Sequence, residues 1–483
     1  MKKQSLLLLV LSLLFSVSCA AEGDSSSTSE GSEGPRYDAF YRSEDVDLTY
    51  YDVSRSGEMD SMIAVGVERM LVIPVMIDGH EDNADEATLS DIEKVMFGDS
   101  DESSWESVAS FYHKSSYGRL SLTGIVTEWY DCGYTIAELE SMWGEPTTII
   151  LDRAIQWVKD SHPEIDLTQY DIDQDGHIDG VWMVYSADYS YNSDVLWAYT
   201  NWNSANEDYG DASSPKAYTY AWASYGFMYE GYGSGGIDGH TFIHETGHML
   251  SLDDYYDYDS ATSPMGMIDM MDNNIIDHNG FSKFSLGWTN PYVVTGEADI
   301  TLLPASSSGQ SILLSADWNG IPFDEYLLIE LYTPDGLNEK DALSAYPANG
   351  RRGFTIPGVR MYHVDARLFD SGSGAYTDDL SSGRSYIGAS NSASWARITA
   401  NKSKFKLLSL VDAAHNTRYL ESSSAIATDA SLFKSGSSFA FEDYADAFPL
   451  KVSKTMNDGS AFPYTIEFVV VNSQSAQVKI RLS

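Results

Sequence analysis

Residues 237–260 read IDGHTFIHETGHMLSLDDYYDYDS, and within them His244, Glu245 and His248 stand in the order H-E-x-x-H. Residues four apart share one face of a helix, so a helix here presents both imidazoles to a single metal ion. The glutamate between them is placed to take a proton from water on that ion. At 100° per residue, Phe242, Ile243, Met249 and Leu250 fall on the opposite side, which gives the segment a packing face and a chemical face.

A catalytic zinc takes three protein ligands and keeps a fourth position open. His244 and His248 supply two. In the extended H-E-x-x-H-x-x-G-x-x-H pattern the third ligand lies six residues after the second histidine, where this chain has Asp254. Asp253 and Asp257 are close enough in sequence to compete for the role. The pattern's glycine, which ends the helix in a left-handed turn, is Ser251 here. Bringing Asp254 to the metal therefore asks Ser251 for a backbone conformation that is costly for a residue with a side chain. His240, one turn before His244, reads as a support for the start of the helix.

Upstream, Asp171, Asp173, Asp175 and Asp179 stand at positions 1, 3, 5 and 9 of a short loop with Gly176 at position 6. That is how a loop wraps oxygen ligands around calcium, here as a structural ion. Position 12 is Trp182 rather than the bidentate glutamate of an EF-hand, so the loop is expected to lead into an apolar strand at 181–185. The run MLVIPVMI at 70–77 reads as a buried strand, with Pro74 predicting an edge or a bulge because it removes a ladder donor. Helical spacing links Leu89, Ile92, Val95 and Met96, then Trp105, Val108, Phe111 and Tyr112 after a capping-box spacing at 103–106, then Ile150, Leu151, Ala154, Ile155 and Val158. Strands are expected at 119–126 and 195–199, and the rest of 187–236 as long loops of the kind that rim a cleft.

Residues 1–19, with Lys2 and Lys3 before an apolar run at 6–17, have the layout of an export signal and are too short in that run to span a membrane. Cleavage after Ala20 and lipidation of Cys19 both fit. The Ser-, Gly- and Glu-rich stretch that follows, a flexible tether and lead-in over 20–60, favours the lipid anchor. Beyond the signal Cys132 is the one cysteine, so no internal disulfide supports the fold, and Cys132 reads as a small buried hydrophobe. A net charge of −43 argues against nucleic acid and anionic membrane surfaces as partners, which leaves a lipid at Cys19 as the route to a membrane.

Past the histidines, 263–271 (SPMGMIDMM) is a methionine-rich turn at the distance where metzincin-type zinc peptidases place a methionine beneath the metal. Met265, Met267, Met270 and Met271 all compete, and Met271 is preferred. After Trp288 the pattern becomes period-two runs at 312–314, 326–331, 359–364, 405–410 and 464–471, then Val478, Ile480 and Leu482. The fold class expected is therefore α/β (α+β) over 61–292, followed by an all-β, sandwich-like domain over 293–483; the H-E-x-x-H segment and the methionine turn resemble those of zincin/metzincin-like catalytic domains, which implies that architecture for 61–292. Glu330, His363 and Asp365 suggest a second metal group, although strand residues of this kind more often hydrogen-bond to their neighbours.

These features resemble the immune inhibitor A family of secreted bacterial zinc metallopeptidases. The resemblance rests on 107–112 (SVASFY), 116–120 (SYGRL), the acidic loop at 171–180, His244-Glu245-x-x-His248 leading to Asp254 and Tyr256, the turn at 266–271, and Leu286-Gly287-Trp288. It extends to 324–330 (DEYLLIE) and 361–365 (MYHVD). It implies an exported endopeptidase of protein or peptide substrates, with zinc on His244, His248 and Asp254 and Glu245 as general base and acid. Tyr255, Tyr256 and His278 are the nearby candidates for steadying the oxyanion. The alternatives are a silent homologue used as a surface-binding module and a zinc hydrolase of a non-peptide substrate; the presence of Glu245 speaks against the silent form.

Overall fold

The strand Gly66–Asp78 is buried at every residue from Met70 to Val75 because it has neighbours on both edges and layers on both faces. A strand in that position needs apolar side chains in succession, which is why its sequence does not alternate. The computed structural model describes residues 39–41, 62–232, 236–378, 385–397, 405–415, 417–448 and 455–483. The expected export signal at 1–19 with Cys19, and the tether over 20–60 apart from the strand Ala39–Tyr41, lie outside these residues. Among the described residues no helix is long and apolar enough to cross a membrane.

The first sheet runs Leu120–Val126, Gly66–Asp78, Val181–Tyr185, Thr219–Ser224, Tyr199–Trp202, with Tyr130–Thr135 also paired to Gly66–Asp78. All pairings are parallel except the last, which puts Tyr199–Trp202 antiparallel at the edge. Six helices matter here: α1 (Glu86–Phe97), α2 (Val108–Ser115), α3 (Ile136–Ser141), α4 (Pro146–Ser161), α5 (His240–Met249) and α6 (Gly280–Ser285). Leu71, Ile73 and Val75 share one buried cluster with Leu139 of α3 and with Ile150, Leu151 and Val158 of α4. The alternate residues Met70 and Val72 join α1, α2, α5 and α6 in the other.

Pro74 is neither at a sheet edge nor in a bulge. Leu71 N–H donates to Gly180 O and Ser186 N–H to Val75 O, so odd-numbered residues turn their backbone groups toward Val181–Tyr185. Thr127 N–H donates to Val72 O on the opposite side. There Leu120–Val126 ends opposite Val72 and Tyr130–Thr135 starts opposite Val75. Pro74 faces the gap between those two strands, where no N–H is required.

Two other expectations shift. The capping box forms four residues later than its spacing at 103–106 suggested, because Ser107 is held by its hydroxyl donating to Gly98 O while its oxygen accepts from Ser110 N–H; Trp105 precedes the helix. The strand expected at 195–199 is Tyr199–Trp202, since Val195 and Leu196 use their carbonyls for Trp222 Nε1–H and Ser190 N–H. Cys132 is buried, and burial pushes its thiol up to about 11.

From residue 292 on the chain builds five strands of a six-stranded sheet, completed by Ala39–Tyr41 at one edge, in the order Ala39–Tyr41, Tyr292–Val294, Ser311–Leu314, Glu325–Tyr332, Gly358–Asp365, Leu408–Leu410. Ile312, Leu314, Leu327, Ile329 and Met361 on one face share a buried cluster with Ile300, Phe439, Ile466, Phe468, Val478 and Ile480 of a four-stranded sheet. The other face, with Leu313, Tyr326, Leu328 and Tyr362, belongs to the cluster that holds Met270, Met271 and Phe281. The six-stranded sheet is thus buried on both sides and backs the segment after the histidines. Short helices such as Ala305–Ser308 and Glu339–Leu343 interrupt this part, so it is sheet-dominated rather than purely β. Mixed α/β with several sheets describes the fold, and Tyr37 to Ser483 form one compact unit.

Candidate metal centre and cleft

Helix α5 is fixed before any ligand is considered. Trp182, the residue at loop position 12, donates its Nε1–H to Thr246 Oγ1 at 3.1 Å, and the Tyr112 hydroxyl donates to Ile243 O at 2.7 Å. Phe242, Ile243 and Met249 are fully buried on the packing face. At the start, Asp238 accepts from His240 N–H at 3.0 Å, and the His240 ring lies 5.0 Å from that of Tyr346, in the supporting position expected. Burial, with the charge of His244, lowers His240 to about 3, so its imidazole is neutral.

The end of the helix decides the third ligand. Ser251 adopts φ of +68°, its N–H donating to His248 O at 2.9 Å, while Leu252 N–H donates to Gly247 O at 3.0 Å. This pair of bonds is the Schellman cap that a glycine ordinarily makes. A serine makes it here, and the chain turns back so that Asp254 Oδ1 lies 3.0 Å from His244 Nε2 and 3.3 Å from His248 Nε2. One ligand atom from each of these three residues falls within 4.8 Å of the others, and neither Asp253 nor Asp257 joins the group.

Both rings are oriented from behind. His244 Nδ1–H donates to Met270 O at 2.9 Å and His248 Nδ1–H to Leu252 O at 2.7 Å. Carbonyls only accept, so each ring carries a proton on Nδ1 and Nε2 is the atom it would offer a divalent metal, in His244 after the proton that Asp254 favours there has left. Burial works against charge on His244, but the bond to Asp254 and its charge lift the imidazole to about 9. Burial likewise opposes the Asp254 carboxylate, and the charges and bonds of His248 and His244 outweigh it, holding that group far below the usual carboxylate range. The Tyr258 hydroxyl donates to Asp254 Oδ2.

Glu245 is buried, and burial raises its carboxyl despite the two histidines. Its Oε2 accepts from the Thr200 hydroxyl at 3.2 Å, and that hydroxyl also reaches Glu245 O at 2.8 Å. Glu245, His248 and Asp254 line a cleft of about 220 Å³ whose far wall is the edge strand, through Tyr199, Thr200 and Trp202. Tyr256 lines the same cleft with its ring stacked 6.3 Å from His244. The other oxyanion candidates lie elsewhere: Tyr255 is fully buried with its hydroxyl on Ser282, and His278 sits among Phe111, Tyr112 and Trp288.

Met271 packs under the helix. A Cβ on Gly247 would stand 2.5 Å from Met271 Sδ, so the absence of a side chain at Gly247 is what admits the methionine. Its neighbour Met270 packs in the buried cluster and gives its carbonyl to His244. Asp269 holds the turn, accepting from Met271 N–H at 3.0 Å and from Asn279 Nδ2–H at 2.8 Å.

In the acidic loop Asp171, Asp173 and Asp179 each bring a carboxylate oxygen within 4.8 Å of the others. Asp171 Oδ2 accepts from Gly176 N–H at 3.1 Å, and its Oδ1 is buried with no hydrogen-bond partner. Asp175 does not join them. Its carboxylate accepts from His177 N–H at 2.7 Å and faces His177 Nδ1, so it is used in closing the turn. Gly176, at φ of +98°, lies so close to the neighbouring loop that a Cβ would stand 2.3 Å from Asp211 N. A further carboxylate is present that the loop spacing did not include: Glu68 is fully buried in the central strand. Burial and then the charge of Glu68 push Asp179 up to about 9, and burial raises Glu68 to about 7.

Glu330, His363 and Asp365 do not converge: Glu330 pairs with Arg360, His363 with Glu325 and Asp365 with Arg367, each at 2.7 Å. Sequence reasoning missed Thr200 and Trp202, because nothing local in an aromatic, loop-rich stretch marks which residues reach a distant helix, and also Tyr258, which bonds to Asp254 four residues before it. No protein-family model matches the chain, and no curated protein matches it.

Proposed function

We propose that this chain is an exported zinc-dependent endopeptidase, free or lipid-anchored, that hydrolyses protein substrates. The observation carrying this reading is the meeting of His244 Nε2, His248 Nε2 and Asp254 Oδ1 at one point beside the buried carboxylate of Glu245 in an open cleft. Two neutral imidazoles and a carboxylate are a donor set suited to zinc, and zinc bound there supplies Lewis-acid chemistry, acidifying water and polarising a carbonyl oxygen. Glu245, raised by burial, accepts the proton of the attacking water and returns it to the leaving amine nitrogen. Thr200 keeps that carboxylate aimed into the cleft. Of the three oxyanion candidates, Tyr256 is the one that lines the cleft, and we assign that role to its hydroxyl.

The peptide character of the substrate is supported by the edge strand Tyr199–Trp202, whose outer edge borders the cleft and offers backbone pairing to an extended chain. The resemblance to the immune inhibitor A family implies the same activity. A calcium ion on Asp171, Asp173 and Asp179, with Glu68 behind them, is part of the proposal; the partnerless Asp171 Oδ1 fits an ion ligand.

Zinc content and casein hydrolysis of the purified chain, beside Glu245→Gln and a chelated sample, test this reading. Glu245→Gln is expected to keep one zinc per chain and lose roughly 10²–10⁴-fold in rate. Equal activity of variant and wild type would defeat the mechanism. Zinc bound with neither protein active would favour a surface-binding module.

A further inference from the structure

Beyond the edge strand the cleft continues. A second cavity, of about 460 Å³, shares Trp197, Tyr199 and Thr200 with the cleft that holds Glu245 and His248. Its other walls include Glu145, Tyr191 and Asp194. The Tyr191 and Trp197 rings stand 4.6 Å apart, and Tyr191 is 75% exposed, so its face is open to a bound side chain. Among the described residues no lysine or arginine lines either cavity. Burial raises the Tyr199 hydroxyl, and the charges of Tyr220, Glu145 and Asp194 act in the same direction.

We infer that this second cavity is a substrate subsite that takes a lysine or arginine side chain of a polypeptide at a fixed position from the scissile bond. The inference rests on the peptidase reading and names the substrate class for it. Aromatic faces attract a cation and cover its aliphatic stem, while Glu145 and Asp194 supply the opposite charge in the same cavity. An aliphatic side chain would gain the ring contacts alone, and an acidic one would meet two like charges. The chain's net charge of −43 acts in the same direction at long range, concentrating basic polypeptides near the cleft.

The test uses two fluorogenic peptides that differ only by lysine against norleucine, placed in turn at each position flanking the cleaved bond. With the zinc-loaded wild type, one position is expected to give a kcat/KM ratio of about ten in favour of lysine, from a partly exposed cation–π contact plus solvent-screened charge. In Glu145→Gln/Asp194→Asn the ratio should fall to about two or less; a ratio needs no correction for the active fraction of either protein. Ratios near one at all positions in a wild type that cleaves the norleucine peptides would overturn the subsite, and so would an unchanged ratio in the double variant. If no peptide is cleaved the hydrolytic reading fails separately. The same peptide pair, measured by fluorescence anisotropy on Glu245→Gln with and without the two carboxylate changes, then decides the subsite. A tenfold affinity ratio that depends on Glu145 and Asp194 supports it, and a ratio of one removes it.

Discussion

His248 donates its Nδ1–H to the carbonyl of Leu252, 2.7 Å away, and Leu252 is also the residue whose N–H closes the cap of the helix onto Gly247 O. Ligand orientation and helix termination are therefore one structure. The hinge of that structure is Ser251 in the left-handed region, a conformation that costs an L-residue about 1–2 kcal/mol and a glycine almost nothing.

Ser251→Gly should relieve that strain and stabilise the fold by up to about 1 kcal/mol, because the gain exceeds the extra backbone freedom glycine brings to the unfolded chain. Ser251→Val should cost about 2 kcal/mol, since a β-branched side chain is still less tolerant of this region. It should also weaken zinc binding, because both Asp254 and the Leu252 carbonyl move with the turn. Thermal melts of the metal-free proteins and zinc competition against a chromogenic chelator check the two effects separately.

Gly247→Ala is a case where helix propensity and packing disagree. In an exposed helix alanine gains about 1 kcal/mol over glycine. Here the added Cβ would stand 2.5 Å from Met271 Sδ and 3.2 Å from the Tyr112 hydroxyl, and all three residues are buried. Overpacking of this kind costs about 1–3 kcal/mol, so a net loss is expected. Combining it with Met271→Ala should cost less than the sum of the two single changes, because removing the methionine side chain makes room for the new methyl. A double-mutant cycle on unfolding free energies reads that coupling.

How legible the site was depended on range. The helix, its two faces and the loop-to-strand order came from periodicity and spacing, which are local. Asp254 could be reached from His248 by counting because the cap between them is short. Pro74 misled because whether a missing N–H matters depends on where two distant strands stop and start. Trp182 was visible only as a failed EF-hand position, yet it anchors the metal helix through Thr246. Glu68 and Thr200 were silent for a similar reason: an acid and a threonine in two separate strands acquire meaning only from segments far away in the chain.

The acidic loop lies close to the end of helix α5, so a calcium titration tests the ion proposed for the loop through the stability of the fold. Asp171–Gly180 leads directly into the strand of Trp182, and Gly180 lies so close to the helix end that a Cβ there would meet Met249 Cε at 3.1 Å. An ion that binds the folded chain alone stabilises it by about 2.7 kcal/mol at a hundred times its dissociation constant. Raising free calcium at constant zinc should therefore raise the thermal midpoint. Asp171→Asn should flatten that dependence, whereas Asp175→Asn, which removes no member of the converging group, should leave most of it. A midpoint unaffected by calcium in the wild type would remove the ion from the loop.

Acid and base should act on the fold through Asp272, in the turn behind the ligands. Its carboxyl is fully buried, with Oδ2 lacking any hydrogen-bond partner, and burial followed by the charge of Asp269 pushes it up to about 7. In the unfolded chain the same group titrates near its ordinary value of about 4. The folded state thus favours the protonated form, so the contribution is complete below about pH 4 and is lost as pH rises through about 7. Asp269, raised by burial to about 6, has the same sign over a lower window. Asp272→Asn keeps the shape and removes the titration. Unfolding free energies from denaturant titrations at pH 5 and pH 8 should differ less in this variant than in the wild type, by an amount on the order of a few kcal/mol. The variant should be the more stable protein at pH 8; if it were instead less stable there, Asp272 would be serving the turn as a carboxylate with a bound partner rather than as a neutral acid.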